Sequence, residues 1–265
     1  MAESNPIHQL VAANFGPVAA NYATSRDHAN QDALDQLVGF VEPNSTDELL
    51  DIATGAGNVA LAFAPRVKRV VAFDLTPSML DQTLKSASER GLSNVEAVQG
   101  LAENLPFEDN SFDIVTVRLA PHHYADIQKA VDEMARVVRV GGKVAIVDTT
   151  VPEDDDLDRE INLIETLRDN SHIRNYRPSE WHVMFEKAGL AVTFEHIGRV
   201  TEGFKMDFDE WVERIRTPEP EANEARHRLK SASPELAASI KLEFVGEKIL
   251  FVWDQLTLVA TKITV

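Results

Sequence analysis

Residues 48–57 read Glu48-Leu-Leu-Asp-Ile-Ala-Thr-Gly-Ala-Gly57, and a second apolar run, Arg69-Val-Val-Ala-Phe-Asp74, ends on a carboxylate. The first stretch predicts a short buried strand that breaks into a tight glycine turn just before a helix. Glycines at 55 and 57 let the backbone turn sharply and let a ligand lie against it with no Cβ in the way. A helix opening near Asn58 directs free N–H groups and its positive dipole end into the same space. An acidic residue at the tip of the next strand can accept both hydroxyls of a ribose. Together the two stretches predict a pocket for a nucleoside-bearing cofactor.

From Leu49 onward the chain alternates strand and helix with short connectors. Strands are predicted at 48–53, 68–73, 94–98, 112–117 and 143–149, and helices between them at 58–64, 77–90 and 125–139. Thr76-Pro77 reads as a helix start, and Gly91 and Gly141-Gly142 read as helix stops. Strands separated by helices imply a parallel α/β sheet covered on both faces. Residues 6–41 read as two helical pieces, from the spacing of Leu10, Val11, Phe15 and Val18 and then of Leu34, Leu37, Val38 and Val41. Past Asp148, Glu153–Asp158 reads as the solvated, acidic first turn of a helix reaching about Arg168. A helix at 179–188, ended by Gly189, and a strand at 190–199 follow. The polar stretch 201–248 looks helical in pieces, at 207–216 and 221–231. Residues 249–263 form one long apolar β segment.

The bulk numbers exclude several classes. With 265 residues and 44% hydrophobic content, the chain can fill one large core, alone or with a cap. The absence of cysteine excludes a disulfide scaffold, a cysteine nucleophile and thiolate metal sites, and fits a reducing cytoplasm. No apolar run approaches the ~20 residues that span a bilayer, and no signal pattern opens the chain. A formal charge of −17 disfavours nucleic acid and anionic membrane as partners. A cytoplasmic protein acting on a small molecule is the expectation.

Gly55-x-Gly57 alone also fits nicotinamide and flavin enzymes. Gly55-Ala-Gly57-Asn-Val-Ala60 matches the dinucleotide pattern loosely, with Asp74 17 residues after Gly57. Two further stretches decide. Leu105-Pro-Phe-Glu-Asp-Asn-Ser-Phe-Asp-Ile-Val115 is a loop followed by a strand, and Val138-Arg-Val-Gly-Gly-Lys-Val-Ala-Ile-Val147 is a helix end, a glycine turn and a strand. At these distances from the glycine loop, they resemble the class I S-adenosylmethionine-dependent methyltransferases. The resemblance is nearest to the ubiquinone/menaquinone-biosynthesis-like (methyltransferase type 11) small-molecule family. It covers about residues 15–200, and the segment 201–248 carries none of it.

The resemblance implies a Rossmann-like, seven-stranded, mostly parallel sheet whose last strand is antiparallel, and S-adenosyl-L-methionine as cofactor. It divides the chain into a helical lid (1–41), a sheet domain (42–200), a cap or homodimer contact (201–248) and a final strand (249–265). Asp51, Ala53, Gly55 and Gly57 would hold the methionine part, and Asp74 the ribose. Leu75 and Met79 would lie near the adenine, as would Leu101, Ala102 and Glu103. Tyr22 and Arg26 would close the lid over the cofactor carboxylate, with His28 on the same segment. One departure stands out: the family places an Asp where this chain has Leu101, and leucine accepts no hydrogen bond. Loss of that bond weakens binding by about 0.5–1.5 kcal/mol. It keeps a non-catalytic binding relative in play. A nicotinamide-dependent oxidoreductase is the other alternative, and it predicts a parallel strand after 190–199.

Methyl transfer requires a nucleophile held in line with the methyl group, exclusion of water, and sometimes removal of a proton. The end of the fourth strand, Arg118-Leu-Ala-Pro-His-His-Tyr124, faces the place where this happens. His123 or His122 is the candidate base, since histidine titrates near working pH. Arg118, also a candidate on the cofactor side, either binds a substrate carboxylate or phosphate in forked fashion or pairs with Asp126. Tyr124, Tyr176 and Trp181, with Arg26 and His28, are the candidate substrate-side residues, although the helical spacing of Trp181 with Phe185 favours a place in the core. Adjacent histidines with no third ligand at a recognisable spacing do not predict a metal site.

Overall fold

The computed structural model describes residues 5–19, 29–199 and 203–263. Its centre is a seven-stranded sheet. In chain order the strands are β1 (Glu48–Ile52), β2 (Arg69–Asp74), β3 (Val95–Gln99), β4 (Phe112–Arg118), β5 (Val138–Thr149), β6 (Leu190–Ile197) and, at the end of the chain, β10 (Gln255–Lys262). Their spatial order is β3-β2-β1-β4-β5-β10-β6. Strands β1 to β5 pair in parallel, and β10 runs antiparallel to both β5 and β6. The antiparallel strand after β6 is the arrangement the methyltransferase resemblance implied, and it contradicts the oxidoreductase alternative.

The central strands are mostly apolar because both faces are covered. Leu50, Ile52, Val71, Val115 and Val117 face one core, with Met134, Trp181 and Phe185. Leu49, Val70, Ala72 and Ile114 face the other, with Val59 and Phe63. Helix α1 (Pro6–Phe15) precedes α2 (Gln31–Val41), whose Leu34, Leu37, Val38 and Val41 pack in that second core. Residues 31–41 are therefore a layer of the sheet domain, not part of a lid.

Helix α3 (Asn58–Phe63) starts on Gly57, whose φ of 85° puts it in the left-handed region. A Cβ there would meet Thr83 Cγ2 at 2.6 Å. Helix α4 (Pro77–Glu89) begins at Pro77 as expected, although Thr76 makes no side-chain cap bond. Helix α5 (Ile127–Val137) passes straight into β5, so Gly141 and Gly142 do not stop a helix. They lie inside β5, where the register with β4 shifts and where a Cβ on Gly142 would meet the Asp113 carbonyl at 2.7 Å. Helix α6 (Asp155–Arg168) is capped by Asp154, which accepts from the N–H groups of Asp156 and Leu157. Its Asp158 is buried and accepts from Arg174 and Arg177 at 2.7 and 2.8 Å, so that turn is only partly solvated. Helix α7 (Pro178–Lys187) follows.

The cap is built from β7 (Met206–Asp207), α8 (Phe208–Glu213), α9 (Glu219–Lys230), α10 (Pro234–Ser239), β8 (Glu243–Val245) and β9 (Lys248–Phe251). Strands β7, β9 and β8 form a second, three-stranded sheet. The single long β segment expected at 249–263 is thus broken at Val252–Asp254: its first part belongs to the cap and its second is β10. Phe208, Trp211, Leu229, Ile249, Phe251 and Trp253 form the cap's core together with Ile161 and Ile164 of α6. Helix α6 therefore joins cap to sheet domain. Among the described residues no helix is long and apolar enough to cross a membrane.

Candidate functional site

The strand order reverses between β1 and β4, and in open α/β sheets ligands bind at such a switch point, beyond the carboxyl ends of the strands. A cavity enclosing about 1460 Å³ of empty space, its open mouth included, lies there. Ala53 and Leu119, just beyond the tips of these two strands, have φ of 50° and 53°. Both line the cavity. A non-glycine residue in this region is strained, and such strain concentrates at ligand sites.

At one end the glycine loop and Asp74 meet as the sequence predicts. Asp74 Oδ2 accepts the Gly55 N–H at 2.8 Å, and Oδ1 accepts the Thr76 N–H at 2.8 Å. Each oxygen keeps further acceptor capacity. Burial raises the Asp74 carboxyl above its usual range. Gly55 has φ of 55°, and among the described residues no atom lies within 4 Å of where its Cβ would stand, so on their side this backbone is open to a ligand. Asp51 braces the loop from below. It accepts from Thr54 Oγ1 at 2.6 Å, the Ala60 N–H at 3.1 Å and Thr116 Oγ1 at 2.8 Å. Burial pushes it up to about 6 against those bonds.

Leu75, Met79, Leu101, Ala102 and Glu103 also line this end. Glu103 is buried; its Oε1 accepts the Ala125 N–H at 2.9 Å and lies 3.5 Å from His8 Nε2 on α1. Tyr124 is buried beside it, and its hydroxyl has no hydrogen-bond partner among the described residues. Burial and the surrounding carboxylates raise that phenol well above its ordinary value. A buried orphan hydroxyl, an open glycine backbone and carboxylates at the strand tips fit a hydroxyl- and amino-bearing cation such as an adenosyl sulfonium.

The structure separates the two adjacent histidines. His122 is clamped by Asp148 at the end of β5: its backbone N–H donates to Oδ2 at 2.9 Å, and its Nδ1 lies 2.6 Å from Oδ1. Burial would lower its pKa, but the charge and hydrogen bond of Asp148 outweigh burial and the net shift is upward. His123 instead donates through Nδ1 to the Ser171 carbonyl at 2.9 Å. Burial and the neighbouring His122 lower it to about 4. A third ring, His172, has its centroid 5.6 Å from that of His122 and is lowered to about 2, chiefly by burial. Among the described residues no group of histidines and carboxylates is arranged to hold a metal ion.

Arg118, Tyr124, His122 and His123 all line the cavity. Trp181 does not: it is fully buried in the sheet core, edge-on to Phe185. Tyr176 packs beside it, 5.9 Å between ring centroids, and also lies away from the cavity wall. An aromatic at helical spacing packs into the core before it reaches a ligand. Tyr22, Arg26 and His28 lie outside the described residues. Several wall residues went unpredicted, including His8 and Phe15 of α1, Glu165 and Arg168 of α6, and Arg199, Trp211, Arg214 and Trp253 at the cap. The acidic run 153–158 gave no hint that the far end of the same helix reaches the site.

Known proteins are similar to this chain in sequence and in fold. Residues 50–146 match the methyltransferase domain family. The chain is 38% identical over 221 residues to the uncharacterised methyltransferase YcgJ of Bacillus subtilis, covering 83% of this chain and 86% of that one. It is 37% identical over 190 residues to the uncharacterised protein YafE of Escherichia coli, covering 72% and 90% respectively. The crystal structure of YcgJ superposes with a TM-score of 0.82 at 34% identity, covering 89% of this chain and all of that one. A ubiquinone/menaquinone biosynthesis C-methyltransferase of Zymomonas mobilis is 37% identical over 109 residues, 41% of this chain and 45% of that one.

Proposed function

Because the chain belongs to the class I S-adenosylmethionine-dependent methyltransferases, we propose that it binds S-adenosylmethionine at the β1–β4 switch point and methylates a small organic acceptor by direct displacement. The observation that carries this is Asp74, buried at the tip of β2 and tied to the Gly55 N–H of the cofactor loop at 2.8 Å. In this reading the Gly55 backbone and Asp74 hold the methionine and ribose parts. Glu103 and the unsatisfied Tyr124 hydroxyl offer further polar groups at the same end. When bound, the cofactor supplies an electrophilic methyl group on a sulfonium with a neutral leaving group.

The chain's own residues then have three tasks. The carboxylates at the strand tips favour a cation at this end of the cavity. Phe15, on α1, and Met79 cover the loop and exclude water. His122 serves as the base for an acceptor that must lose a proton. Its Nδ1 faces a carboxylate, which only accepts, so Nδ1 carries the hydrogen and Nε2 presents a lone pair. His123 is the weaker candidate because its Nδ1 is anchored to the Ser171 carbonyl and its basicity is low.

The test is a thermal-shift comparison of S-adenosylhomocysteine with NAD. Stabilisation by the first and not the second is expected. Stabilisation by NAD alone would overturn the reading.

A further inference from the structure

Glu165 is a buried carboxyl on the cavity wall, apart from the groups assigned to the cofactor and the base. It lies in the last turn of α6, the helix that joins cap to sheet domain, and is 7% exposed. The other buried side chains of this helix have evident protein partners. Ile161 and Ile164 pack in the cap's core, and Asp158 accepts from Arg174 and Arg177. Among the described residues the Glu165 carboxyl makes no hydrogen bond and no ion pair. Arg168, His122, Asp169 and Asp148 act on it only through their charges, from a distance.

Each of those neighbours is engaged elsewhere. Arg168 Nε donates to the Trp211 carbonyl at 3.3 Å, and its guanidinium carbon stands 5.1 Å from the Trp211 ring centroid. Asp169 Oδ1 accepts from the Ser171 N–H at 2.9 Å and the Ser171 hydroxyl at 2.6 Å. His122 and Asp148 hold one another. A carboxyl taken out of bulk water without a partner destabilises a fold, and such groups concentrate at ligand sites. Burial raises the pKa of Glu165, as expected for a carboxyl with no partner to offset desolvation. The cavity is the space this group faces, and His122 lines the same cavity.

The neighbourhood also indicates the kind of partner. The positive charge of Arg168 and the negative charges of Asp148 and Asp169 oppose one another at Glu165, so neither an anion nor a cation is singled out. Ionised or protonated, a carboxyl keeps an oxygen that accepts a hydrogen bond. From this we infer that Glu165 is a specificity residue for the methyl acceptor, a neutral molecule that donates an O–H or N–H group to it in the cavity shared with His122. The inference rests on the methyl-transfer reading of the same cavity. The contact both selects and orients: an analogue whose O–H or N–H is capped by methyl leaves the carboxyl unpaired and is rejected.

The experiment uses the full chain and has two arms. The first is thermal unfolding at neutral pH without ligand. A carboxyl held for a ligand costs stability, so Glu165→Leu is expected to melt at or above wild type; a clearly lower melting temperature would show a structural role and overturn the inference. In the second arm the chain is saturated with S-adenosylhomocysteine, whose retained binding shows that the variants are folded. Phenol, 1-hexanol and indole are titrated beside anisole, 1-methoxyhexane and 1-methylindole. At least one donor is expected to bind about fivefold or more tighter than its capped match, the scale of one hydrogen bond. Glu165→Leu should erase that preference, and Glu165→Gln, whose amide oxygen still accepts, should keep part of it. No preference for the donor in any pair, or a preference unchanged in Glu165→Leu, would overturn the inference. Failure of S-adenosylhomocysteine to bind wild type would instead remove the cofactor reading beneath it.

Discussion

His122 and Asp148 are joined twice: Asp148 Oδ2 accepts the backbone N–H of His122 at 2.9 Å, and Oδ1 accepts its Nδ1–H at 2.6 Å. The pair bridges the ends of two neighbouring strands, β4 and β5, so the sheet itself fixes the ring. One carboxylate both orients the imidazole and stabilises its charged form.

A pH dependence of turnover follows. Asp148 raises the pKa of His122, so the deprotonated base appears only as pH climbs past the ordinary histidine value of about 6.5. kcat/KM is expected to rise with pH on a limb centred above that value. Asp148→Asn removes the charge, and the limb should move to lower pH while kcat falls roughly tenfold or more. His122→Ala should lower kcat by about 10²–10⁴. A pH–rate profile that does not move in Asp148→Asn, with kcat of His122→Ala near wild type, contradicts the assignment.

The glycine loop makes a steric prediction. Gly57→Ala forces an alanine to φ of 85° and drives its Cβ to 2.6 Å from Thr83 Cγ2. A loss of about 1–3 kcal/mol is expected in urea unfolding. Combining it with Thr83→Ala should recover part of the loss. Strict additivity of the two substitutions would show that the clash is absent.

Acid should destabilise the fold through His123 and His172, the two buried histidines whose pKa is lowered. His123 and His172 are held at about 4 and about 2, against about 6.5 in the unfolded chain. Between pH 6.5 and 4 the unfolded state therefore binds more protons at these rings than the native state, and stability falls with falling pH. The slope approaches about 1.4 kcal/mol per pH unit for each histidine. His172→Gln keeps a donor for Asn162, which accepts from Nε2 at 3.0 Å, and should flatten the dependence by one proton's share. Parallel wild-type and variant stability curves across this window would contradict it.

Leu101 tests how the adenine end is read. It lines the cavity beside Ala102 and Glu103, and its backbone pairs with Asn104. Leu101→Asp should tighten S-adenosylhomocysteine binding by about 0.5–1.5 kcal/mol if the family's missing acceptor is the only deficit. Unchanged affinity by calorimetry would mean that recognition at this end runs through other groups.

The sheet and the cofactor end were readable in sequence because both are local. A parallel strand buried on two faces writes itself as an apolar run, and a left-handed turn writes itself as glycine. Asp51, Gly55, Gly57 and Asp74 sit in two such stretches and meet as expected. The cap end was not readable, because its wall is assembled from Arg168, Arg199, Trp211, Arg214 and Trp253, which share no local pattern. The break at Val252–Asp254 was hidden for the same reason: β9 and β10 are both apolar, and only tertiary pairing assigns them to different sheets. For Trp181 the helical spacing with Phe185 already favoured the core over the suspected pocket, and the core is where it packs. Of the histidine pair, sequence offered two equal candidates; the distinction came from Asp148, 26 residues beyond His122.

The most direct measurement is isothermal titration of the purified chain with S-adenosylhomocysteine at up to millimolar concentration, beside the Asp74→Ala variant. One saturable site is expected in wild type. Asp74→Ala should weaken it roughly 10–100-fold, the worth of one or two hydrogen bonds to a charged acceptor. No heat with either S-adenosylhomocysteine or S-adenosylmethionine, or equal binding by wild type and Asp74→Ala, would contradict the cofactor site described between β1, β2 and β4.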